Sequence, residues 1–325
     1  MAELLETGTP RAQDAALLAL IGHGAAVREP VVAWAEAQIT RATERRSARN
    51  AVEATASGAG ASAEGPTIAF LASVLDHRER RLTDRALGAL AVLGAPEAGG
   101  VLRRCLRSGD QEVRAQAMEA LDSIGDRRLR RAIVRLLDAD TVATPPERDR
   151  TLGELADDGD LWIKRLAQRV IAETGGTAEM ADTARTLNDI DTMLMLRRVP
   201  LFEGLEPEDL QRIATSCIER FFPAGAALVH EDEVGGELFV IAEGAVRVIR
   251  ADADGGERFI RRYEAGDHIG ELAVLRERPR VATVVADGDV RALVIEGESL
   301  KAILRERPEA AMAMLGTLAE RLSAT

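Results

Sequence analysis

GDHIGELAVLRERPRVATV, residues 266–284, sets a glycine-glutamate pair (Gly270, Glu271) nine residues ahead of a proline-arginine pair (Pro279, Arg280). Gly-Glu-Leu-Ala reads as the opening of a short helix. A helix start exposes N–H groups that have no intrahelical partner and carries a partial positive charge, so it seats an anion, and a glycine there lets the anion approach the backbone. A chain that then turns at Pro279 presents Arg280, whose guanidinium forks onto the same anion with charge-assisted bonds. Glu271 beside an anion makes sense if the ligand also carries a hydroxyl donor next to its phosphate, as a ribose does. The alternative is a structural ion pair between Glu271 and Arg280 in a domain that binds nothing.

The surrounding sequence reads as strands. ELFVIAEGAVRVIR (237–250) and VRALVIE (290–296) are rich in Val and Ile and read as alternating apolar and polar residues. Turn signals punctuate them: Pro223-Ala224-Gly225, Gly235-Gly236, Gly244, Asp254-Gly255-Gly256, Gly266-Asp267 and Asp287-Gly288. Short strands at this spacing predict a small barrel or roll. Helix returns at 298–305, breaks at Pro308, and ends in an amphipathic segment with Met314, Leu315, Leu318 and Leu322 on one side.

The first two hundred residues read differently. Six of the nine aromatics fall between Phe202 and Tyr263, which marks a boundary near 197–201. Before it, one spacing recurs: Asp110, Val113, Arg114, Ala117, Ala120, Leu121, and again Asp160, Ile163, Lys164, Ala167, Val170, Ile171. Looser copies begin at Glu79 and at Thr9. Apolar residues three and four apart form one helical stripe, with an acidic or hydroxyl residue to cap its start. Second helices are expected at 98–106 and 129–137, with Gly94, Gly109 and Gly125 as stops. Helix pairs of this kind bury their stripes by stacking into a solenoid. The stretch 45–66, rich in Ala, Ser and Gly, departs from the repeat and is expected to hold a loop, with another break at Pro145-Pro146. Arg45-Arg46 reads as a solvated basic run beside Ser47. The first repeat starts almost at once without a polar cap, so the expectation is a preceding membrane domain or a packed partner there.

Composition bounds the function. At 325 residues with 46% apolar and 30% charged residues, the chain reads as folded and multidomain. A net charge of -12 argues against a nucleic-acid binder. No apolar run approaches the ~20 residues of a membrane span. Two distant cysteines, Cys105 and Cys217, suggest neither a disulfide framework nor a thiolate site, and fit a reducing, cytoplasmic compartment. His23, His77, His230 and His268 lack metal-ligand spacing, so no metal or other cofactor is expected. Asp157, Asp158 and Asp160 read as helix-capping residues rather than a catalytic cluster. No nucleophile elbow or P-loop is visible, so the chain is read as a non-enzyme, with no catalytic residues. A lyase of the helical-repeat sort is the outlying alternative.

Two resemblances follow from these residues. Over roughly 1–180, the Asp-x-x-Val-Arg-x-x-Ala pattern at 110–121 resembles the HEAT repeat family, which implies a docking scaffold. Over roughly 195–325, the lead-in at 199–205, the glycine-cornered strands, the Gly-Glu-Leu-Ala segment with Arg280 and two closing helices resemble the cyclic nucleotide-binding domain family, of the catabolite activator and cyclic AMP-dependent kinase regulatory type. That resemblance implies that Gly270 and the amides of Leu272 and Ala273 bind a cyclic phosphate, that Glu271 takes the ribose 2′-hydroxyl, and that Arg280 pairs with the phosphate. Val281 and Ala282 follow as backbone or packing contacts, and Val248 and Ile260 as the purine wall. Ile269 stands where relatives usually have an aromatic. Val281 lacks the hydroxyl used by cyclic GMP-selective relatives, so cyclic AMP is favoured over cyclic GMP. With no aromatic after Tyr263, a lid over the base would be aliphatic, from Leu315 or Leu318.

The sequence thus predicts an α+β multidomain chain: a HEAT-like all-α solenoid (1–180), a linker helix (181–198), and a jelly-roll-like cyclic nucleotide-binding domain with flanking helices (199–325). It reads as a cytoplasmic sensor, with a homodimer allowed. The layout is similar to the tails of bacterial major-facilitator transporters akin to ADP/ATP translocases. No helix-turn-helix follows Leu322, which disfavours a transcription factor. The competing reading is a protein-binding adaptor with a degenerate nucleotide site.

Overall fold

The computed structural model describes residues 5, 10–20, 27–54, 65–94, 96, 98–121, 123–137, 147–174, 189–252, 256–276 and 278–323. The chain divides into two compact units, Met1–Thr174 and Gly175–Thr325.

In the first unit, α1 (Pro10–Ala19), α2 (Arg28–Glu53), α3 (Pro66–Gly94), α4 (Ala98–Leu106), α5 (Gln111–Leu121), α6 (Arg127–Leu137), α7 (Arg148–Ala156) and α8 (Leu161–Thr174) follow one another. The long α2 and α3 form the central pair. Ala35, Ala42, Ala86 and Ala89 are fully buried, and such small residues let two helices approach closely. Around this pair, Leu90, Leu121, Leu129 and Ile133 fill one continuous core. Contacts do not run only between sequence neighbours: α6 packs on both α2 and α3, α7 returns to α2, and α8 packs on α3.

The strongest sequence signals have a direct structural counterpart. Asp110 accepts a hydrogen bond from the Glu112 amide at 2.8 Å and Asp160 one from the Trp162 amide at 3.0 Å, so both satisfy orphan donors at helix starts. Asp158 in turn accepts from the Asp160 amide at 2.7 Å. The repeat copy at Glu79 is a correction. Glu79 lies inside α3 rather than at a helix start, and is only 5% exposed. Its carboxylate sits 2.7 Å from Arg46 and 3.1 Å from Arg49, so its acidity closes an interhelical ion cluster instead of capping. Within the stretch 45–66, expected to hold a loop, α2 continues to Glu53 and α3 begins at Pro66, and residues 55–64 between them lie outside the described residues. Arg45 and Arg46 are half-buried and paired with Asp158 and Glu79, so they are not a solvated run. Thr9, His23, Pro145-Pro146, residues 181–188 of the linker and Asp254-Gly255 lie outside the described residues.

The second unit opens with α9 (Asp189–Arg198), a short 3-10 turn (Pro200–Phe202) and α10 (Pro207–Ser216). Among the described residues eight strands follow: β1 (Ile218–Phe222), β2 (Ala227–Val229), β3 (Glu237–Glu243), β4 (Ala245–Ala251), β5 (Glu257–Glu264), β6 (His268–Ile269), β7 (Thr283–Ala286) and β8 (Val290–Glu296). Helix α11 (Glu271–Arg276) interrupts them between β6 and β7, and α12 (Gly297–Glu306) and α13 (Pro308–Ser323) close the chain. The strands form two four-stranded sheets, ordered β1-β8-β3-β6 and β2-β7-β4-β5, with antiparallel pairing.

Phe239, Ile241, Val246, Val284 and Val294 fill the space between the sheets. On β3 and β8 the other alternate set, Leu238, Val240, Leu293 and Ile295, is buried as well. Helices α10, α11 and α12 pack on these two strands. Both faces are therefore covered, and the run Leu238–Ala242 is continuously buried rather than alternating as the sequence reading expected. Strand β5, in contrast, pairs with β4 alone and is exposed along nearly its whole length.

Candidate functional site

The site grows from the junction of β6, α11 and the segment before β7. Gly270 follows β6 with φ +92°, a left-handed conformation that a side chain disfavours. Space forbids a side chain too: a Cβ there would lie 2.4 Å from Arg280 Nη1 and 2.8 Å from the Glu237 carbonyl oxygen. Helix α11 starts at Glu271, and its first intrahelical bond runs from the Val274 amide to the Gly270 carbonyl at 3.2 Å. The amides of residues 271–273 precede that bond and belong to the helix's unpaired first turn.

Arg280 is 5% exposed. Its Nη2 donates to the Glu237 carbonyl at 2.8 Å, and its Nη1 reaches the Gly270 carbonyl at 3.5 Å, the limit of a hydrogen bond. The guanidinium carbon stands 5.7 Å from the centre of the Phe239 ring, within cation-π range. Among the described residues no carboxylate comes within ion-pairing distance of it. Its buried Nε has no hydrogen-bond partner. Burial pushes the Arg280 pKa down from its ordinary value, opposed by the fields of Glu237, Glu233 and Glu271. Arg280 is a buried cation held by neutral carbonyls and distant carboxylates, a placement that suits an anionic ligand.

The backbone of Arg280 is fixed by a loop that sequence reasoning passed over. The Asp232 amide donates to the Arg280 carbonyl and the Arg280 amide to the Glu233 carbonyl, each at 2.9 Å. Gly235 completes the cradle: a Cβ there would lie 2.8 Å from Arg280 Nε and Nη2. In sequence Gly235 is marked only as a turn signal. Its approach to Arg280, 45 residues away in sequence, has no local signature. Glu237 and Phe239 were likewise read as strand residues; the same strand supplies a carbonyl and a ring to the guanidinium.

The remaining expected residues are distributed as follows. Glu271 is half-buried, Leu272 is 44% exposed and Ala273 is buried on α11. Val281 is 62% exposed and Ala282 buried, just before β7. Val248 pairs with Val284 and Arg261 and packs partly on the core between the sheets. Ile260 is 45% exposed on β5, where the register shifts between Val248 and Ile249, making it the extra residue of a bulge. Leu315, exposed, and Leu318, half-buried, lie on α13, which packs against the Pro200–Phe202 turn and α12. The structure thus brings Gly270 and Arg280 together with the first turn of α11, and sets Leu315 and Leu318 on a separate, helical element.

Among the described residues no group of three or more His, Cys, Asp or Glu side chains could hold a metal ion. No helix among them is long and apolar enough to cross a membrane. Cys105 and Cys217 are free thiols, and burial pushes the Cys217 pKa up to about 12.

Residues 219–307 match the family described as the cyclic nucleotide-binding domain. A Cyclic AMP receptor protein of Thermus thermophilus is 32% identical over 123 residues, 38% of this chain and 57% of that protein. A cAMP-dependent protein kinase regulatory subunit of Mycosarcoma maydis is 40% identical over 103 residues, 31% of this chain and 19% of that one. The crystal structure of the Thermus thermophilus Catabolite Activator Protein superposes with a TM-score of 0.36 at 32% identity, over 38% of this chain and 59% of that one. By the family match and the two sequence relatives, the second unit contains a cyclic nucleotide-binding domain of the type found in bacterial cyclic AMP receptors and kinase regulatory subunits. The chain spans little more than half the length of the bacterial relatives it matches. The helical first unit lies outside the matched residues.

Proposed function

We propose that the chain is a cyclic nucleotide sensor, with cyclic AMP preferred to cyclic GMP, and not an enzyme. One observation carries this reading: Arg280 is a buried guanidinium cradled by Gly235 and Gly270, with no carboxylate partner among the described residues, at the first turn of α11. In this account the cyclic phosphate replaces neutral carbonyls as the acceptor for Arg280 and takes the amides of Leu272 and Ala273. Glu271 accepts the ribose 2′-hydroxyl. Val281 and Ala282 pack beside the phosphate, and Val248 and Ile260 wall the base. Leu315 and Leu318 close over it only if α13 moves, since that helix packs on the Pro200–Phe202 turn and α12 here.

A ligand shifts such an equilibrium only by its differential affinity for the two states. The helical unit is proposed as a HEAT-like docking scaffold, on the strength of the capped repeats at Asp110 and Asp160. The domain limits proposed are 1–180 for this scaffold, 181–198 for a linker and 199–325 for the sensor. Coupling to a transporter or other membrane domain, a cytoplasmic location and homodimerisation belong to the same proposal.

Displacement of a fluorescent cyclic nucleotide analogue tests the reading. Cyclic AMP is expected to displace it at lower concentration than cyclic GMP, and linear AMP far less well. Failure of the analogue to bind a folded sample would leave the adaptor reading in its place.

A further inference from the structure

Two cavities on the first unit share a wall. One, of about 290 Å³, is lined by residues of α1, α3 and α4, with Leu18, Ala91 and Val92 on its apolar side. The other, of about 200 Å³, is lined by residues of α2, α3 and α8. Arg81 and Arg85 line both. On α3 the lining positions 78, 81, 85, 88 and 92 are three and four residues apart, which places them on one helical face about 21 Å long. The two cavities thus read as one groove along α3.

The groove is basic in an acidic protein. Six arginines (41, 45, 78, 81, 85 and 103) line it against three carboxylates, Glu44, Asp84 and Asp160, while the chain as a whole carries -12. Asp84 is already paired with Arg107, which lies outside the lining. Asp160 is paired with Arg78 at 2.8 Å. Arg45 is paired with Asp158, which also lies outside the lining, so with Arg107 and Asp158 counted the face carries seven arginines against four carboxylates. The apolar end adds Leu18, which is 65% exposed although Leu17 beside it is buried.

We propose that this groove binds an acidic peptide segment of a partner protein, with apolar residues interspersed among its carboxylates. The mixed lining favours this occupant. A peptide can set carboxylates on the arginines while placing apolar side chains against Leu18 and Val92, whereas a continuous phosphate chain would meet Glu44, Asp84 and Asp160. A face of about 21 Å accommodates about six extended residues. The proposal rests on the docking role assigned above to this unit, and takes nothing from nucleotide binding.

The test uses the whole chain without nucleotide and fluorescein-labelled peptides of about eight residues. One alternates Glu with Leu, one Glu with Ser, and one Lys with Leu. The Glu/Leu peptide is expected to bind, and its affinity to fall steeply as salt is raised. Joint Arg81→Glu and Arg85→Glu substitution is expected to weaken it by about tenfold or more. Arg103→Glu and Leu18→Ser change exposed positions, keep the test open if the double variant fails to fold, and are expected to cost several-fold each. Three results would overturn the proposal: no binding of the Glu/Leu peptide at low salt, equal affinity for the Glu/Ser or Lys/Leu peptide, or affinities unchanged in the folded variants. Tighter binding of a single-stranded oligonucleotide of matched charge would also overturn it, in favour of a nucleic acid. A parallel cyclic AMP titration reports on the other unit, so loss of one activity with retention of the other separates the two readings.

Discussion

Replacing Arg280 with methionine separates a binding role from a structural one. Methionine keeps an unbranched apolar stem against Phe239 but removes the charge. In the free protein the guanidinium makes one good hydrogen bond, at 2.8 Å, one at the 3.5 Å limit, and a cation-π contact at 5.7 Å. Hydrogen bonds from a charged group contribute about 1.5–3 kcal/mol and an exposed-to-buried cation-π contact about 0.5–2 kcal/mol. Against these stands the penalty of burying a charge without a carboxylate partner, which is several kcal/mol. The opposing effects nearly cancel, so the unliganded domain should change in stability by no more than about 1–2 kcal/mol.

With nucleotide the balance changes. A cyclic phosphate facing methionine loses its cationic partner, at a cost of about 3–4 kcal/mol, or two to three powers of ten in affinity. Both tryptophans, Trp34 and Trp162, lie in the first unit, so their fluorescence does not follow this domain. Hydrogen exchange of β3 and β8, buried on both faces, does. Saturation at a hundredfold over Kd should raise native protection by about 2.7 kcal/mol. The variant should show nearly the same unliganded protection and an increase of no more than about 0.4 kcal/mol at that nucleotide concentration. A variant destabilised by more than about 3 kcal/mol that still gains the full nucleotide increment would refute the reasoning and make Arg280 a structural cation.

Other substitutions test the remaining parts. Gly270→Ala imposes a Cβ 2.4 Å from Arg280 Nη1 at φ +92°, and should destabilise the domain by about 1–2 kcal/mol from backbone strain alone while displacing Arg280; equilibrium unfolding and nucleotide titration check both. Glu271→Gln should weaken cyclic AMP about tenfold or more but leave 2′-deoxy cyclic AMP unaffected, a coupling that a double-perturbation cycle with native protein measures. Asp126→Ala should destabilise the first unit by about 1–2 kcal/mol, since its carboxylate caps α6 through the amides of Arg128 and Leu129 and pairs with Arg28. Arg28 chiefly, with those amides and against the opposing effect of burial, holds the Asp126 carboxyl below its ordinary value of 3.8. Its contribution is therefore complete above pH 3.8 and is lost as pH falls through the lower folded-state value, an effect that Asp126→Ala should abolish in acid-unfolding curves. Phe239→Ala, which empties a fully buried ring position between the sheets, should cost about 3–5 kcal/mol by urea unfolding.

What the sequence made legible was local. Asp110 and Asp160 announce helix starts because a cap acts within two or three residues. Gly270, Glu271 and Arg280 were legible because the β6-α11 turn and the return at Pro279 fit within one short segment. Glu79 misled because its residue type suits a cap, while its true partners, Arg46 and Arg49, come from another helix. The stretch 45–66 departs from the repeat in composition, yet its first part continues α2 to Glu53, where Arg45, Arg46 and Arg49 are held by carboxylates far along the chain. Gly235, Glu237 and Phe239 joined the site only through the fold. The covered outer face of β3 and β8, which the sequence reads as alternating, depends on helices that arrive from both ends of the domain.

Isothermal titration of the full chain with cyclic AMP, repeated on Arg280→Ala, tests the central claim most directly. The account expects saturable binding of cyclic AMP to the native chain, tighter than that of cyclic GMP, and an affinity reduced by about a hundredfold or more in the variant. No heat with either nucleotide from a folded native sample, or equal affinity in the variant, would contradict it.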